Sequence, residues 1–412
     1  MRQKRRRVNW FFIILMVALI LVVSYLDRFI LPTIESPLVP TPTVTREPES
    51  YLTEAETFMN AGKFIQAIEV YDLAIRLEPD NPALYIAIAR AQVFAGRYAD
   101  AIVSSSNALL LNPDNSMGYA VRAWALTRNG DLEEADIAIK EALRLDPTNG
   151  IAHAYYAFLL GNMYEQNAGP YVDPIQPAID ESNTAMSLSS DKLEALWARA
   201  YILYLTGNIE MAIQNYKAAI DKNPNISQLH LELGIAYRQI SSIDLAVQEY
   251  TLANTYNPSD PLPDLYTSRA WASVGEFAKA AQSAEDAVRD APTDPYMRGN
   301  WGYMLYEMND WMGADEQFSL AIHGGLSEEG QPIPALPISG DTWVSRYYYT
   351  YAIVLALLER CGDVLILTQQ ILGALPADEY AVYNSEYARS LCNASTETPP
   401  LLPGVTPENQ NP

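Results

Sequence analysis

The side chains able to do chemistry are few in this 412-residue chain. There are three histidines, His153, His230 and His323, and two cysteines, Cys361 and Cys392. Structural metal sites gather four Cys or His ligands at short spacing, so this set leaves little material for a metal. No serine or cysteine stands in a nucleophile-elbow context. No glycine-rich phosphate loop follows a strand, because no convincing strand is written here. Carboxylates are abundant but scattered over helix surfaces, which marks solvated faces. His323 precedes Gly324 and Gly325 at a helix end, where interaction with the C-terminal dipole suffices for it. The expectation is a protein that is not an enzyme, with no cofactor, no metal and no small-molecule substrate.

Charge narrows the partners. Six of the 27 basic residues but one of the 50 acids fall in residues 1–31, which leaves 21 bases against 49 acids in the rest. A body that acidic repels phosphate backbones, so nucleic acid is excluded from the expected partners.

The amino terminus reads as an address. "MRQKRRR" (1–7) precedes "VNWFFIILMVALILVVSYL" (8–26), which has no charged residue. Nineteen residues at about 1.5 Å each nearly match a hydrocarbon core of ~30 Å. A cleaved signal peptide shares this grammar, but no small-residue cleavage pattern follows, so 8–26 is taken as an uncleaved transmembrane signal anchor. The basic tail 1–7 then stays cytoplasmic and the remainder lies outside, in a single-pass protein of the kind found in a bacterial plasma membrane. Residues 27–50, rich in Pro, Thr, Ser and Glu, read as an extended linker. Residues 393–412 have the same character and read as a disordered tail.

Between them, over 51–392, the chain repeats itself. "LEPDNPALY" from Leu77 has near-copies from Leu111, Leu145, Tyr256 and Asp290. Its proline falls at Pro79, Pro113 and Pro147, 34 residues apart, and the same step resumes at Pro224, Pro258 and Pro292. Alanines stand 12 and 5 residues before each proline, and a glycine 17 before most: Gly62, Gly96, Gly130, Gly207 and Gly275. A glycine between helices permits a left-handed turn, and small residues let helix axes approach closely. Proline stops a helix. Asn81, Asn115, Asn149, Asp260 and Asp294 can cap the next one, three of them followed by Pro82, Pro261 or Pro295. Each unit is therefore two helices, a glycine turn and a proline stop.

These residues resemble the tetratricopeptide repeat family, in period and in small-residue pattern. The resemblance implies an all-α, right-handed solenoid of about nine helix pairs, beginning near Pro48, Pro82, Ser116, Gly150, Leu193, Ser227, Pro261, Pro295 and Tyr348. The stretch 377–392 reads as a capping helix for the last open face. Two insertions break the beat, nine residues around 161–176 and nineteen around 323–341. Such insertions map to loops on one face, either functional or tolerated drift.

His153 and His230 share one helix position, where the family has an aromatic packing residue, so both read as structural. Cys361, placed at the end of the first helix of unit nine, lies 31 residues before Cys392. Parallel first helices would set the two about three residues out of step, ~4.5 Å along the axis. That leaves two readings, a disulfide or two unrelated buried thiols.

The resemblance also implies that first helices line a concave groove where partners bind. By motif position the groove carries Arg90, Trp124, Arg128, Phe158, Trp197, Tyr201, Tyr204, Arg238, Arg269, Tyr303 and Tyr306. Arginines and large aromatics carry most interface energy, and arginine reads carboxylates bidentately. An extended protein or peptide segment of acidic or C-terminal carboxylate character, anchored by aromatic contacts, is the expected ligand. The lysine and asparagine clamp that the family uses for chaperone tails does not appear. "RYYYTY" (346–351) reads as packing against unit eight or as a second patch. The expected function is a membrane-anchored scaffold for protein partners in envelope assembly or a chaperone network. Alternatives are an organelle import-type receptor with cytosolic repeats, and a glycan-binding or transferase-associated protein.

Overall fold

The structure, a computed structural model, describes residues 10–26, 28 and 48–393. The chain divides into two compact units, residues 1–50 and 51–412. In the first unit α1 (Trp10–Tyr25) has 16 residues, none buried. Of the expected 8–26 span, residues 8 and 9 lie outside the described residues; the α-helix over Trp10–Tyr25 is roughly 24 Å long at about 1.5 Å per residue. Among the described residues no helix is long and apolar enough to cross a membrane. The basic tail 1–7, most of the linker and residues 394–412 lie outside the described residues.

The described residues of the second unit, 51–393, are helical almost throughout. Nine helix pairs follow one another: α2 (Pro48–Asn60) with α3 (Phe64–Leu77), α4 (Pro82–Phe94) with α5 (Tyr98–Leu111), and α6 (Ser116–Asn129) with α7 (Leu132–Leu145). Next come α8 (Gly150–Gln166) with α9 (Ile175–Ser189), α10 (Leu193–Leu205) with α11 (Ile209–Lys222), and α12 (Ser227–Gln239) with α13 (Ile243–Tyr256). The last are α14 (Leu262–Ser273) with α15 (Phe277–Asp290), α16 (Pro295–Glu307) with α17 (Trp311–His323), and α18 (Thr342–Leu357) with α19 (Cys361–Ala374). A final helix, α20 (Glu379–Asn393), packs on both α18 and α19. It covers apolar surface that the last pair would otherwise expose.

The repeating residues explain the repeating geometry. Both alanine series, Ala67 to Ala280 and Ala74 to Ala287, are 0% exposed at every one of the six repeats that carry them. Within the pairs Gly62, Gly96, Gly130, Gly207 and Gly275 all sit at positive φ, between 68° and 90°. Where glycine is missing, Ser241, Asn309 and Glu359 take the same conformation at φ of 59°, 62° and 60°, at a cost of about 1 kcal/mol each. Between pairs, Asn81, Asn115, Asn149 and Asp294 accept backbone N–H bonds from Ala83, Gly118, Ala152 and Tyr296. First helices of successive pairs touch directly, α4 on α6, α6 on α8, α8 on α10 and α16 on α18, while second helices of successive pairs make no comparable contact. The first helices therefore line the tighter, inner side of the curve.

Three details depart from the sequence expectation, and the disulfide settles one that was open. The ninth pair begins at Thr342, six residues before Tyr348, because Asp341 caps it through the N–H groups of Trp343 and Val344. Cys361 opens the second helix of that pair rather than ending the first. It is disulfide-bonded to Cys392 of α20, with Cα atoms 5.6 Å apart. The second insertion holds two short strands, β1 (Gly325–Leu326) and β2 (Pro332–Ile333), paired antiparallel where no strand was expected. Ile333 is buried, and the Tyr348 hydroxyl donates to the Leu336 carbonyl at 2.6 Å, so this loop is packed. The first insertion is packed as well. Its Tyr171 hydroxyl donates to Asp136 of α7 at 2.7 Å, and Lys140 of α7 lies over its ring at 5.3 Å.

Candidate binding surface on the first helices

The eleven expected groove residues all fall on first helices, but they separate into two halves. In the first half the aromatics fill the interior themselves. Phe94 stacks on Phe64 at 5.1 Å and meets Trp124 edge-on at 5.0 Å. Trp124 stacks on Tyr155 at 4.7 Å and meets Trp197 at 6.4 Å. Phe158 joins Trp197 at 5.3 Å and Tyr201 at 5.6 Å. Trp124, Phe158 and Trp197 keep 3%, 7% and 4% of their surface. They belong to the core rather than to an open groove. The Trp197 indole N–H donates to Glu232 at 2.7 Å, and the Tyr201 hydroxyl donates to Glu165. Burial pushes the Glu232 carboxyl above its ordinary range, against the Trp197 and Gln228 bonds and the charge of Arg128 that favour ionisation. Arg128 itself lies over the Tyr98 ring at 5.8 Å.

The filling has a geometric cause: this half closes on itself. Arg90 of α4 is ion-paired to Glu194 of α10, 104 positions away. The turn after α2 meets the turn before α12, where Asn223 and Asn225 donate to the carbonyls of Met59 and Asn60, each at 3.1 Å. A cavity of about 520 Å³ remains at this seam, lined by Glu56, Tyr71, Arg90, Phe94, Lys192 and Lys222 among others. No local spacing in the sequence announces these contacts.

The second half is different. Tyr266 carries its hydroxyl above the usual range through burial, and feels the opposing charges of Arg269 and Arg238. Arg269 of α14 is 8% exposed. Its guanidinium donates to Asn300 at 3.2 Å, Tyr296 at 3.1 Å and Tyr347 at 2.9 Å, all neutral, and lies 3.9 Å from the centroid of Trp343. Arg346 lies over the same Trp343 ring at 4.7 Å and over Tyr303 at 5.6 Å. Tyr303 and Tyr306 are half-buried neighbours, 6.4 Å apart. Among the described residues no ion pair to a carboxylate is made by Arg128, Arg238, Arg269 or Arg346. Trp343, Arg346, Tyr296 and Tyr349 escaped the motif-position reading. For the three on α18 the reason is phase, because Tyr348 sets the ninth pair six residues late and Asp341 as a cap is the signal that corrects it; Tyr296 lies in the first turn of the correctly phased α16, outside the motif positions. Within "RYYYTY", Tyr347, Tyr348 and Tyr351 are buried.

The histidines are built into the repeat. His153 is bonded through Nδ1 to Glu181 and through Nε2 to the Pro147 carbonyl at 3.0 Å. His230 repeats this with Glu249 at 2.7 Å and Pro224 at 2.9 Å. Arg298 does the same two units on, donating to the Pro292 carbonyl and to Gln317. Each ties a proline stop to the following second helix. Among the described residues no group of His, Cys, Asp and Glu could hold a metal ion.

Comparison with known proteins supports this architecture. Three family models, each described as tetratricopeptide repeat, match residues 58–125, 118–149 and 198–261. No curated protein matches the chain by sequence. Among solved structures it is similar to the crystal structure of the APC/C hetero-tetramer Cut9–Hcn1, with a TM-score of 0.59 and 14% identity over 78% of this chain. It spans 58% of that chain's length. It is also similar to the human IFIT1 dimer with PPP-AAAA, with a TM-score of 0.55 and 15% identity over 84% of this chain and 83% of that one. At such identities the likeness concerns the fold alone.

Proposed function

Because the chain carries tetratricopeptide repeats, we propose that it is a non-enzymatic scaffold that holds a protein partner against its row of first helices. One observation carries the reading. In a chain with 50 acids and 27 bases, Arg238, Arg269 and Arg346 on first helices make no ion pair with a carboxylate among the described residues. An acidic protein that leaves arginines uncompensated on its inner side is suited to an anionic partner segment. Photo-crosslinkers at Tyr303 and Tyr306, compared with Leu110 and Ile137 on second helices, test this. Partner crosslinks should come from the first pair of sites. Equal or stronger crosslinking from the second-helix sites refutes it.

Membrane attachment belongs to the same proposal. The unbroken apolar run 8–26 and its basic flank support insertion with the repeats on the extracytoplasmic side, although α1 alone is shorter than a hydrocarbon core. The Cys361–Cys392 bond suits an oxidising compartment. Carbonate extraction, followed by protease digestion of intact cells, tests both parts. A soluble chain, or repeats protected from added protease, removes them.

A second reading is an RNA end as ligand, favoured by the likeness to human IFIT1 with PPP-AAAA. The acid excess of the repeats opposes it.

A further inference from the structure

We propose that the acidic partner segment is read at one place, the inner side of α14 to α18, where Arg269 and Arg346 meet over Trp343 and Arg238 lies upstream. This rests on the scaffold reading and locates its site. The first half of the inner side is largely filled, and the cavity left at its seam is lined by Glu56, Asp191 and Glu194 as well as Arg90, which suits a carboxylate poorly. Phe94, Trp124, Phe158 and Trp197 occupy it against each other, and Arg90 is spent on Glu194.

The second half has the opposite character. Arg269 is 8% exposed yet held only by Asn300, Tyr296 and Tyr347, none of which carries charge. A buried cation without a counter-ion is costly, and a ligand carboxylate would offset that cost. Its position is fixed by three hydrogen bonds and by the Trp343 ring at 3.9 Å, so little side-chain freedom remains to be lost on binding. Arg346 sits beside it, 4.7 Å from the same ring. The Tyr303 ring completes the wall at 5.6 Å from Arg346. The acids near this stretch are Glu165, near Tyr204 and Tyr266, Glu307, near Tyr303, Asp341, near Tyr347, and Asp378, near Tyr349. Among the described residues none of them is ion-paired to an arginine. Guanidinium groups beside aromatic faces suit an extended peptide that alternates carboxylates with apolar or aromatic side chains.

The test uses the full chain and a fluorescein-labelled ten-residue peptide alternating glutamate with leucine or tyrosine, read by anisotropy. Arg238→Gln and Arg346→Gln should each weaken binding about tenfold, the scale of one lost charged hydrogen bond. Arg97→Gln, which removes an outer arginine paired with Asp100, should leave it unchanged. Circular dichroism confirms that each variant is folded. Arg269→Lys keeps the charge and loses the fork, and should weaken binding without unfolding the chain. The proposal is overturned if the acidic peptide does not bind, if a lysine peptide of the same pattern binds equally, or if the two glutamine variants bind like the parent. It is also overturned if a 5′-triphosphate RNA tetramer binds there and the peptide does not. If the peptide fails while Tyr303 still crosslinks a protein partner, this inference falls and the scaffold reading stands. If both fail, both fall.

Discussion

Arg90 on α4 and Glu194 on α10 form an ion pair that joins the second repeat to the fifth. The glutamate side chain keeps 5% of its surface and the arginine 37%. Removing Arg90 therefore strands a buried carboxylate. Arg90→Ala should cost about 2 kcal/mol, less than a fully buried pair because the arginine end is partly wet. Arg90→Ala/Glu194→Gln should recover part of the loss. Urea denaturation measures both, and a neutral Arg90→Ala would show that the pair contributes nothing to closure.

Gly62 separates the two contributions of a turn glycine. It has φ of 68°, and a Cβ placed on it would lie 2.5 Å from both Asn225 Cβ and the Asn225 carbonyl oxygen. Gly96, at the same point of the next repeat with φ of 73°, has nothing within 4 Å. Gly96→Ala should lose about 1 kcal/mol from backbone strain alone. Gly62→Ala should lose about 1–3 kcal/mol more, because the seam must open to admit the methyl group. Equal losses would mean the seam yields freely.

His153 faces two acceptors, Glu181 and the Pro147 carbonyl, so both ring nitrogens act as donors. Burial pulls its pKa down, but those two partners outweigh it and the net shift is upward. A group held above its free value near 6.5 contributes fully below that value. The contribution is lost as pH rises through the raised folded pKa. Stability should thus fall from pH 5.5 to pH 8.5, and His153→Phe should flatten that fall by about 1 kcal/mol. Parallel profiles for parent and variant would contradict this.

Asp264 of α14 has the opposite role. Burial, then the charges of Asp286 and Asp290, push its carboxyl up to about 6. A carboxyl that resists ionisation in the fold favours the folded state below its unfolded pKa near 3.9. That advantage is lost as pH climbs toward 6. Asp264→Asn should therefore raise the unfolding free energy at pH 7.5 by about 1 kcal/mol, read by urea denaturation, and the gain should vanish near pH 3.5. A variant less stable at pH 7.5 would show that the Asn254 bond outweighs the repulsion.

The periodic features of the fold were legible because each is a local rule. Alanines at fixed offsets, positive-φ glycines and asparagine caps act within about ten residues, and a repeated spacing makes them visible. The ninth pair slipped by six residues because nineteen inserted residues erased the proline that set the phase. Cys361 was placed on the wrong helix for the same reason. The self-filled first half was not legible at all. Whether Trp124 and Trp197 meet depends on small rotations summed over several repeats, which no single spacing encodes. The Arg269 cage was half legible: the arginine fell on an expected position, but Trp343 and Arg346 reach it only across the insertion.

The seam between the first two repeats and the fifth and sixth also changes how such a chain assembles. A repeat array held by neighbour contacts alone can start folding anywhere, and its stability is a sum over adjacent units. Here Asn60 waits for Asn225, and Arg90 waits for Glu194. The first turn cannot be finished until the strand of chain that closes it has been synthesised. Its repeats then gain or lose structure together, as one cooperative block, and closing so long a loop slows their arrival. The later repeats are tied over a shorter span, Arg269 of the seventh to Tyr347 of the ninth, so they gain their structure as a second, more local block.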